Sequence, residues 1–390
     1  MSRAPAIPRS KTDDYTSDQA RERREFLRVQ TGAELSSAGS FSVDPQQLRG
    51  NIENFIGTLQ MPLGVAGPLK INGEAAQGDF YLPLATTEGT LVASYSRGMR
   101  VISESGGCTT AVARHAMQRA PVFMLDSVLT AKRFGQWLEQ NMTSIKAAAE
   151  ATTRSGQLID VEQYLVANMV YTRFNYTTGD AAGQNMTGKA TFAACEWIKA
   201  NCPFAPNYIL SGGIDTDKKH SAMNMIRTRG KRVIAEVTIK NEVAKRLLGV
   251  DTQTLFRARQ IANAGSIQAG SAYNGPHSAN GIAALFIATG QDEANVAESH
   301  AGIAYTQLLD NGDYYWSVTL PAVICGTFGG GTGLPGQRQS LEMLGCYGAG
   351  KSDKFAEIVA AVVLAGDISL GSAVLAGDWV SSHEQYGRNR

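Results

Sequence analysis

Gly331-Thr332-Gly333-Leu334-Pro335-Gly336 is the stretch on which the fold turns. Its glycines match the GxGxxG spacing of a dinucleotide-binding turn, and Tyr314–Ile324 ahead of it reads as a strand. Three features count against a Rossmann reading. Pro335 stands where the helix should be starting, Gly326 to Gly336 is too glycine-dense for one tight turn, and no repeated strand–helix pattern surrounds it. Beyond it, Phe355 to Val380 is strongly apolar but carries Glu357, Asp367 and Asp378, which predicts a buried helix rather than a membrane span. Before it, Arg232–Ile239 predicts a strand and Asn280–Ala297 a helix. Between Asp126 and Asn207 the pattern is that of a small α+β block. It has helices over Ala131–Gln140 and Ser144–Ala151, a strand over Met169–Phe174, and a glycine-bearing turn, Gly179 to Lys189, into a helix over Ala190–Asn201. Further toward the N-terminus, Leu91, Val92, Tyr95 and Met99 mark a helix that Gly106-Gly107 stops, and Asn51 to Gly73 reads as strand-like loops. Thr16-Ser17-Asp18-Gln19 has capping-box spacing ahead of a charged helix, Asp18 to Gln30, with a polar arm before it.

The bulk numbers narrow the function. The chain has 390 residues, enough for two or three domains. Its 36 Lys plus Arg against 35 Asp plus Glu leave a net charge of +1, so no global field gathers nucleic acid or anionic lipid. An anionic ligand must meet a local cluster. The 41 glycines point to many tight turns and close backbone approaches, as around a ligand held by several loops. Cys108, Cys195, Cys202, Cys325 and Cys346 form no CxxC pair, and the N-terminus has no secretory h-region, which predicts reduced thiols and a cytoplasmic protein. The five histidines form no HExxH or HxH, so no metal site is expected.

Four residues are chemically suggestive. Glu88 follows two threonines at the start of a helix; the plain reading is a first-turn acid on the helix dipole, and a proton-donating role needs burial or a neighbouring anion. Lys218 and Lys219 follow the Gly212-Gly213 hinge. They read either as a solvated turn or as an ammonium delivered to a carbonyl oxygen, where it would stabilise oxyanion charge. Asp292 falls seven residues after Leu285 and four before Val296, inside the apolar stripe of the expected helix, where a carboxylate is costly unless paired. His383 lies in a polar tail, as a solvated residue or as an acid with near-neutral pKa on a lid.

Read together, these segments resemble the 3-hydroxy-3-methylglutaryl-CoA (HMG-CoA) reductase family. The motifs stand in family order from about Asn51 to Arg388: Glu53-Asn54-Phe55-Ile56-Gly57, Gly64-Val65-Ala66-Gly67-Pro68-Leu69, Ala85-Thr86-Thr87-Glu88-Gly89, Gly179-Asp180-Ala181-Ala182-Gly183-Gln184-Asn185-Met186, Asp217-Lys218-Lys219, His277-Ser278-Ala279-Asn280, Gly290-Gln291-Asp292, Gly326-Thr327-Phe328-Gly329-Gly330-Gly331-Thr332 and Ser382-His383. The resemblance implies an α+β fold with a large domain built round a central helix and an inserted small ferredoxin-like domain that binds NADPH. It places an N-terminal helical arm at 1–50, the large domain at 51–125 and 211–390 with a C-terminal lid at 381–390, and the small domain at 126–210. It implies reduction of HMG-CoA to mevalonate and CoA with two NADPH, in the mevalonate route to isoprenoids. Lys218 would stabilise the oxyanion, His383 would protonate the CoA thiolate, and Glu88 would supply the alkoxide proton with Asp292 close to both Glu88 and Lys218. Ser211, Asp217, Lys219 and Asn280 would contact substrate. Thr153, Arg154, Asp180, Gly183, Asn185 and Gly330 would contact cofactor, with Arg154 on the 2′-phosphate. A homodimer or dimer of dimers with shared sites is also implied, with no nucleic acid, membrane or metal as partner.

Some positions depart from the family pattern. The substrate-holding Arg expected after Pro121-Val122-Phe123 is Met124, a second cation is replaced near Ile261 with Arg259 as its neighbour, and Asn389 stands at the regulatory serine position. They leave two alternatives open: the same chemistry on a different acyl thioester, or a non-catalytic acyl-CoA-binding relative.

Overall fold

Thr16 caps the first helix, α1 (Ser17–Thr31), by accepting the Gln19 N–H at 3.0 Å, as the capping spacing predicts. The computed structural model describes residues 4–376. The arm before α1 is tied down by the buried Arg23, whose guanidinium donates to Pro8 O, Asp14 O and Phe55 O and pairs with the Asp14 carboxylate. An antiparallel hairpin follows, β1 (Leu63–Asn72) and β2 (Gln77–Ala85), and then α2 (Leu91–Glu104).

The next strand line is broken at Pro121 into β3 (Thr109–Arg119) and β4 (Val122–Met124), and this break joins the two halves of the molecule. Beyond it the chain runs through α3 (Val128–Gln140), α4 (Met142–Glu150), β5 (Gln157–Val166), β6 (Met169–Thr177), α5 (Gln184–Asn201) and β7 (Asn207–Ile209). The strand order β7-β4-β6-β5, all antiparallel, is the ferredoxin-like βαββαβ arrangement. Phe123, Phe134, Leu138, Phe174, Tyr176 and Ile198 fill its own core. β4 lies upstream of the expected division at 126 yet pairs within this sheet. α5 starts six residues earlier than expected because Gly183, at φ +86°, already ends the turn.

The chain returns through α6 (Ala222–Arg227), β8 (Gly230–Ile239), α7 (Asn241–Leu248), α8 (Thr252–Gln268), α9 (Ser278–Thr289), α10 (Val296–Ser299), β9 (Ile303–Leu308), β10 (Tyr314–Val323), α11 (Pro335–Met343) and α12 (Ser352–Ala376). β3, β8, β10 and β9 form an antiparallel sheet contiguous with the smaller one. β10 is antiparallel to both neighbours, so the strand before the glycine cluster belongs to no βαβ unit and the Rossmann reading fails on topology. The proline objection fails, however. Pro335 is the first residue of α11, where its missing N–H is harmless. The helix expected over Asn280–Ala297 is also corrected: Gly290, at φ +67°, ends α9 after Thr289, so Asp292 lies off the helix and on no apolar stripe.

α12 is the one described helix long and apolar enough to cross a membrane, and most of it is buried inside the protein. It packs on α2, α9, β8 and β10. Its buried carboxylates are answered. Glu357 accepts from Thr110 Oγ1 at 2.9 Å and Ala76 N–H at 2.8 Å, and Asp367 accepts from Tyr273 OH at 2.5 Å and His277 N–H at 2.9 Å. Burial pushes the Asp367 carboxyl up to about 7. α2 meets α12 at Gly98, where a Cβ would lie 1.8 Å from Ala365 O. Gly98→Ala is therefore expected to cost about 3 kcal/mol or more by forcing two backbones apart. Gly336→Ala, in α11 with nothing within 4 Å of the added carbon, should gain about 0.5–1 kcal/mol. Denaturant unfolding of the two variants checks the pair.

Candidate active site

The segment between β7 and α6 has little regular structure, and two buried arginines and a half-buried one hold it. Arg119 Nη1 lies 3.3 Å from Asp215 Oδ2, and Ser211 Oγ donates to the same buried carboxylate at 3.0 Å. Arg173 donates to Ile214 O at 3.2 Å. Arg229, with no exposed side-chain surface, donates to Asp217 Oδ1 at 2.9 Å and Glu298 Oε1 at 3.0 Å. Thr216 and Lys218 sit in the left-handed region, at φ +52° and +57°, a conformation uncommon for residues other than glycine.

Lys218 Nζ lies 2.9 Å from Asp292 Oδ2. That hydrogen bond raises the ammonium's pKa above the ordinary lysine value, so it stays charged. The other Asp292 oxygen accepts the Ala294 N–H at 3.0 Å, which fixes the carboxylate just past the end of α9. Lys218 and Asp292 are 44% and 38% exposed, so the pair faces an open space. Lys219 Nζ bonds Asp217 O at 2.9 Å.

Glu88 and Asn280 form a second pair, with Asn280 Nδ2 donating to Glu88 Oε2 at 2.9 Å. Glu88 lies three residues before α2 rather than in its first turn, where the helix dipole acts most strongly. The two pairs are not together in one chain. Asn280 is near the start of α9 and Asp292 just beyond its end, and the nine steps from Asn280 to Thr289 span ~14 Å of helix. Among the described residues no hydrogen bond or ion pair joins Glu88 to Lys218 or Asp292, so the expectation that Asp292 neighbours both is corrected for a single chain: the length of α9 separates them.

Asp292 lines a cleft of about 660 Å³ together with Gly183, Asn185, Met186, Phe328 and Gly330. α5 opens into it with an N-terminus that no side chain caps. Gly329 and Gly330 have positive φ and open space beside them, so bare backbone faces the cleft. Gly326 allows the close crossing of the Asp180–Ala182 backbone, 2.7 Å from where its Cβ would be. Asp180 itself turns away. Its carboxylate accepts the N–H groups of Gly350, Lys351 and Ser352, at 2.7, 3.0 and 3.1 Å, and caps α12. Burial opposes its ionisation, yet these donors hold its pKa below the usual carboxylate value. Thr153 Oγ1 closes a turn by accepting the Gly156 N–H at 3.0 Å; Gly156 packs on Met186, and Arg154 is exposed on that turn.

A second cleft, lined by Gly67, Ser96, Arg97, Arg100, Ser103 and Glu104, lies along α2; Arg97 donates to Ser369 O at 2.8 Å, and Arg100 pairs with Glu104 at 2.7 Å. Arg259 is not available to a substrate carboxylate: it is buried against Trp316 and bonded to Asn263 Oδ1 and Asn274 O. Met124 sits within β4 and Ile261 is exposed on α8, so no cation stands at either position. His383 and the expected lid at 381–390 lie outside the described residues. Arg229, Glu298 and the cleft arginines were not legible beforehand, because their partners lie far away in the chain.

The family model described as hydroxymethylglutaryl-coenzyme A reductase matches residues 19–388. The 3-hydroxy-3-methylglutaryl-coenzyme A reductase of Methanocaldococcus jannaschii is 44% identical, over 94% of this chain and 92% of that one. That of Aeropyrum pernix is 46% identical, over 94% and 89%. The class II enzyme of Streptococcus pneumoniae, solved bound to NADPH in open conformations, superposes with a TM-score of 0.69 at 21% identity, over 93% of this chain and 99% of that one, a likeness of fold. With a family match across nearly its whole length and archaeal relatives above 40% identity, the chain belongs to the hydroxymethylglutaryl-coenzyme A reductase family.

Proposed function

We propose that the protein reduces HMG-CoA to mevalonate and CoA with two NADPH, within isoprenoid biosynthesis in the cytoplasm. The observation that carries this is the Lys218–Asp292 pair at the edge of the cleft into which the uncapped N-terminus of α5 opens. Five free, buried cysteines accord with a reducing compartment.

NADPH fits the cleft at the N-terminus of α5. A helix N-terminus with free N–H groups suits a pyrophosphate, and bare glycine backbone at 329 and 330 allows close approach. Gly183, Asn185 and Gly330 would line it, Asp180 would hold its loop through α12, and Thr153 and Arg154 would meet the 2′-phosphate. When bound, NADPH supplies the hydride. The chain's own part is electrostatic and protonic. Lys218 faces the acyl oxygen as negative charge develops, and Asp292 keeps that ammonium charged and aimed. Asp217, Lys219 and Ser211 belong to the same turn and would position the acyl group. Glu88, oriented by Asn280, would give the alkoxide its proton, and His383 would protonate the departing thiolate.

In this reading the site is completed by a second copy of the chain. Glu88 and Asn280 of one protomer would meet Lys218 and Asp292 of the other, since α9 holds them apart within each. Leu63, Val65 and Tyr81, exposed on the β1–β2 hairpin that leads into Glu88, offer an apolar face for that contact. The cleft lined by Arg97 and Arg100 on α2 would take the phosphates of CoA on the Glu88 side.

A second reading, the same chemistry on another acyl thioester, is favoured by Met124, Ile261 and the engaged Arg259. Absorbance at 340 nm with HMG-CoA and a panel of acyl thioesters separates the two. Preferred oxidation of NADPH with HMG-CoA is expected, and Lys218→Met should lower kcat by about 10²–10³-fold. No oxidation with any thioester would refute the activity. Co-expressed Glu88→Gln and Lys218→Met chains, each inactive alone, should recover about a quarter of wild-type activity, since half the dimers are mixed and each has one intact site. No recovery would place both residues in one protomer's site. Arg154→Ala should raise KM for NADPH about tenfold or more while leaving NADH use unchanged.

A further inference from the structure

We propose that Glu298 is a positioning residue for the reaction: with Arg229 it forms a buried clamp that fixes the backbone of Lys218. The inference rests on the role given to Lys218 above.

Lys218 carries a side chain in the left-handed region, as does Thr216 two residues earlier. That conformation is unfavourable for a non-glycine residue and persists only where surrounding contacts enforce it. Glu298 supplies the strongest such contact. Its Oε1 accepts the Lys218 N–H at 2.6 Å, and the same oxygen accepts from Arg229 Nη1 at 3.0 Å. Its Oε2 accepts from Asn224 Nδ2 at 2.9 Å. The other arm of Arg229 holds the Asp217 carboxylate at 2.9 Å. One guanidinium thus ties down the side chain of Asp217 and, through Glu298, the amide of Lys218. Neither the Arg229 nor the Glu298 side chain is exposed, so the clamp is screened from water.

The chain positions of these groups give the arrangement its meaning. Asp292 and Glu298 are six residues apart, joined by a short turn and α10. That one stretch grips Lys218 twice, by its ammonium through Asp292 and by its backbone through Glu298. Asn295, between them, accepts from Gln184 Nε2 at 2.9 Å, and Gln184 also donates to Asp217 Oδ1 at 3.3 Å. Gln184 is the first residue of α5, so the clamp connects the lysine turn to the helix end in the large cleft. A shift of the Lys218 backbone by a fraction of an ångström would move its ammonium relative to the acyl oxygen while leaving substrate contacts largely in place.

Two conservative variants separate this role from a general structural one. Glu298→Gln keeps the side-chain length and an oxygen for the Lys218 N–H; Asn224 Oδ1, buried without a partner, can turn to accept from the new amide. Glu298→Asp keeps the charge for Arg229 but draws the oxygen back by one methylene. The full-length variants are assayed for kcat, for KM with HMG-CoA and NADPH, and for hydrogen exchange at the Lys218 amide. Glu298→Gln is expected to stay within about fivefold of wild-type kcat. Glu298→Asp should fall about 20-fold or more with both KM values within about threefold, and its Lys218 amide should exchange at least about tenfold faster than in the Gln variant. The opposite order, Asp at wild-type kcat and Gln impaired, would make Glu298 a counter-ion only and overturn the proposal. So would two variants with unchanged kcat and exchange, or a loss expressed in KM for NADPH alone. If wild-type protein reduces no thioester, the proposed activity falls, and the exchange order by itself decides whether Glu298 anchors Lys218.

Discussion

A guanidinium with no exposed surface, flanked by two carboxylates, sets the geometry on which the candidate site depends. Arg229 sits just ahead of β8, with Asp217 on one side and Glu298 on the other. Buried ion pairs repay their desolvation poorly, and Glu298 bears the sign of that cost: burial pushes its carboxyl up to about 7 even beside Arg229. Such a pair is a weak source of stability. The two Nη atoms of Arg229 are each held by a carboxylate, however, so it serves to fix a turn whose residues have no regular backbone pairing of their own. Arg119 and Arg173 repeat the device at Asp215 and Ile214 O.

These three arginines lie at the end of β3, within β6 and ahead of β8, along the seam where one sheet passes into the other. Each sheet has its own apolar core to one side. The seam cannot be closed by apolar packing alone if a ligand is to enter there, and polar and charged contacts close it instead. Asp180 adds a second tie, joining the loop before α5 to the N-terminus of α12, the central helix of the larger core. Loosening the core at α12 therefore loosens the cleft, because the same carboxylate caps one and shapes the other.

Features set by local chemistry were legible in the amino-acid sequence. The Thr16 cap, the strands at 169 and 232, the stop after α2 and the burial of α12 each follow from neighbours within a few residues. Lys218 and Asp292 do meet, but Asp292 stands on no apolar helix stripe. The apolar spacing around it continues past Gly290, whereas the backbone does not, since that glycine adopts a left-handed conformation and ends the helix. Pro335 differs in the opposite sense: the proline that counts against a helix start is itself the first residue of α11. Glu298 gave no signal because its partner is the backbone of a residue 80 positions away. The gap between Glu88 and Asp292 was equally hidden, since motif order along a chain says nothing about which end of α9 each motif reaches.

The exposed pair and the clamp beneath it differ in what they can contribute. Lys218 and Asp292, each more than a third exposed, form the sort of ion pair that adds little to stability in water. Beneath them the chain keeps Arg229 and Glu298 out of water altogether, a kind of pair that is weak evidence of stability because desolvation offsets much of its attraction. A left-handed lysine in the intervening turn adds a further cost. Each of these choices opposes or fails to help folding, and all of them converge on the position of one ammonium group at the edge of a cleft. Selection for stability does not account for that convergence. A requirement that positive charge be fixed in advance, at a spot where water is displaced only when ligands arrive, does account for it, because such a charge needs no reorganisation at the moment negative charge develops.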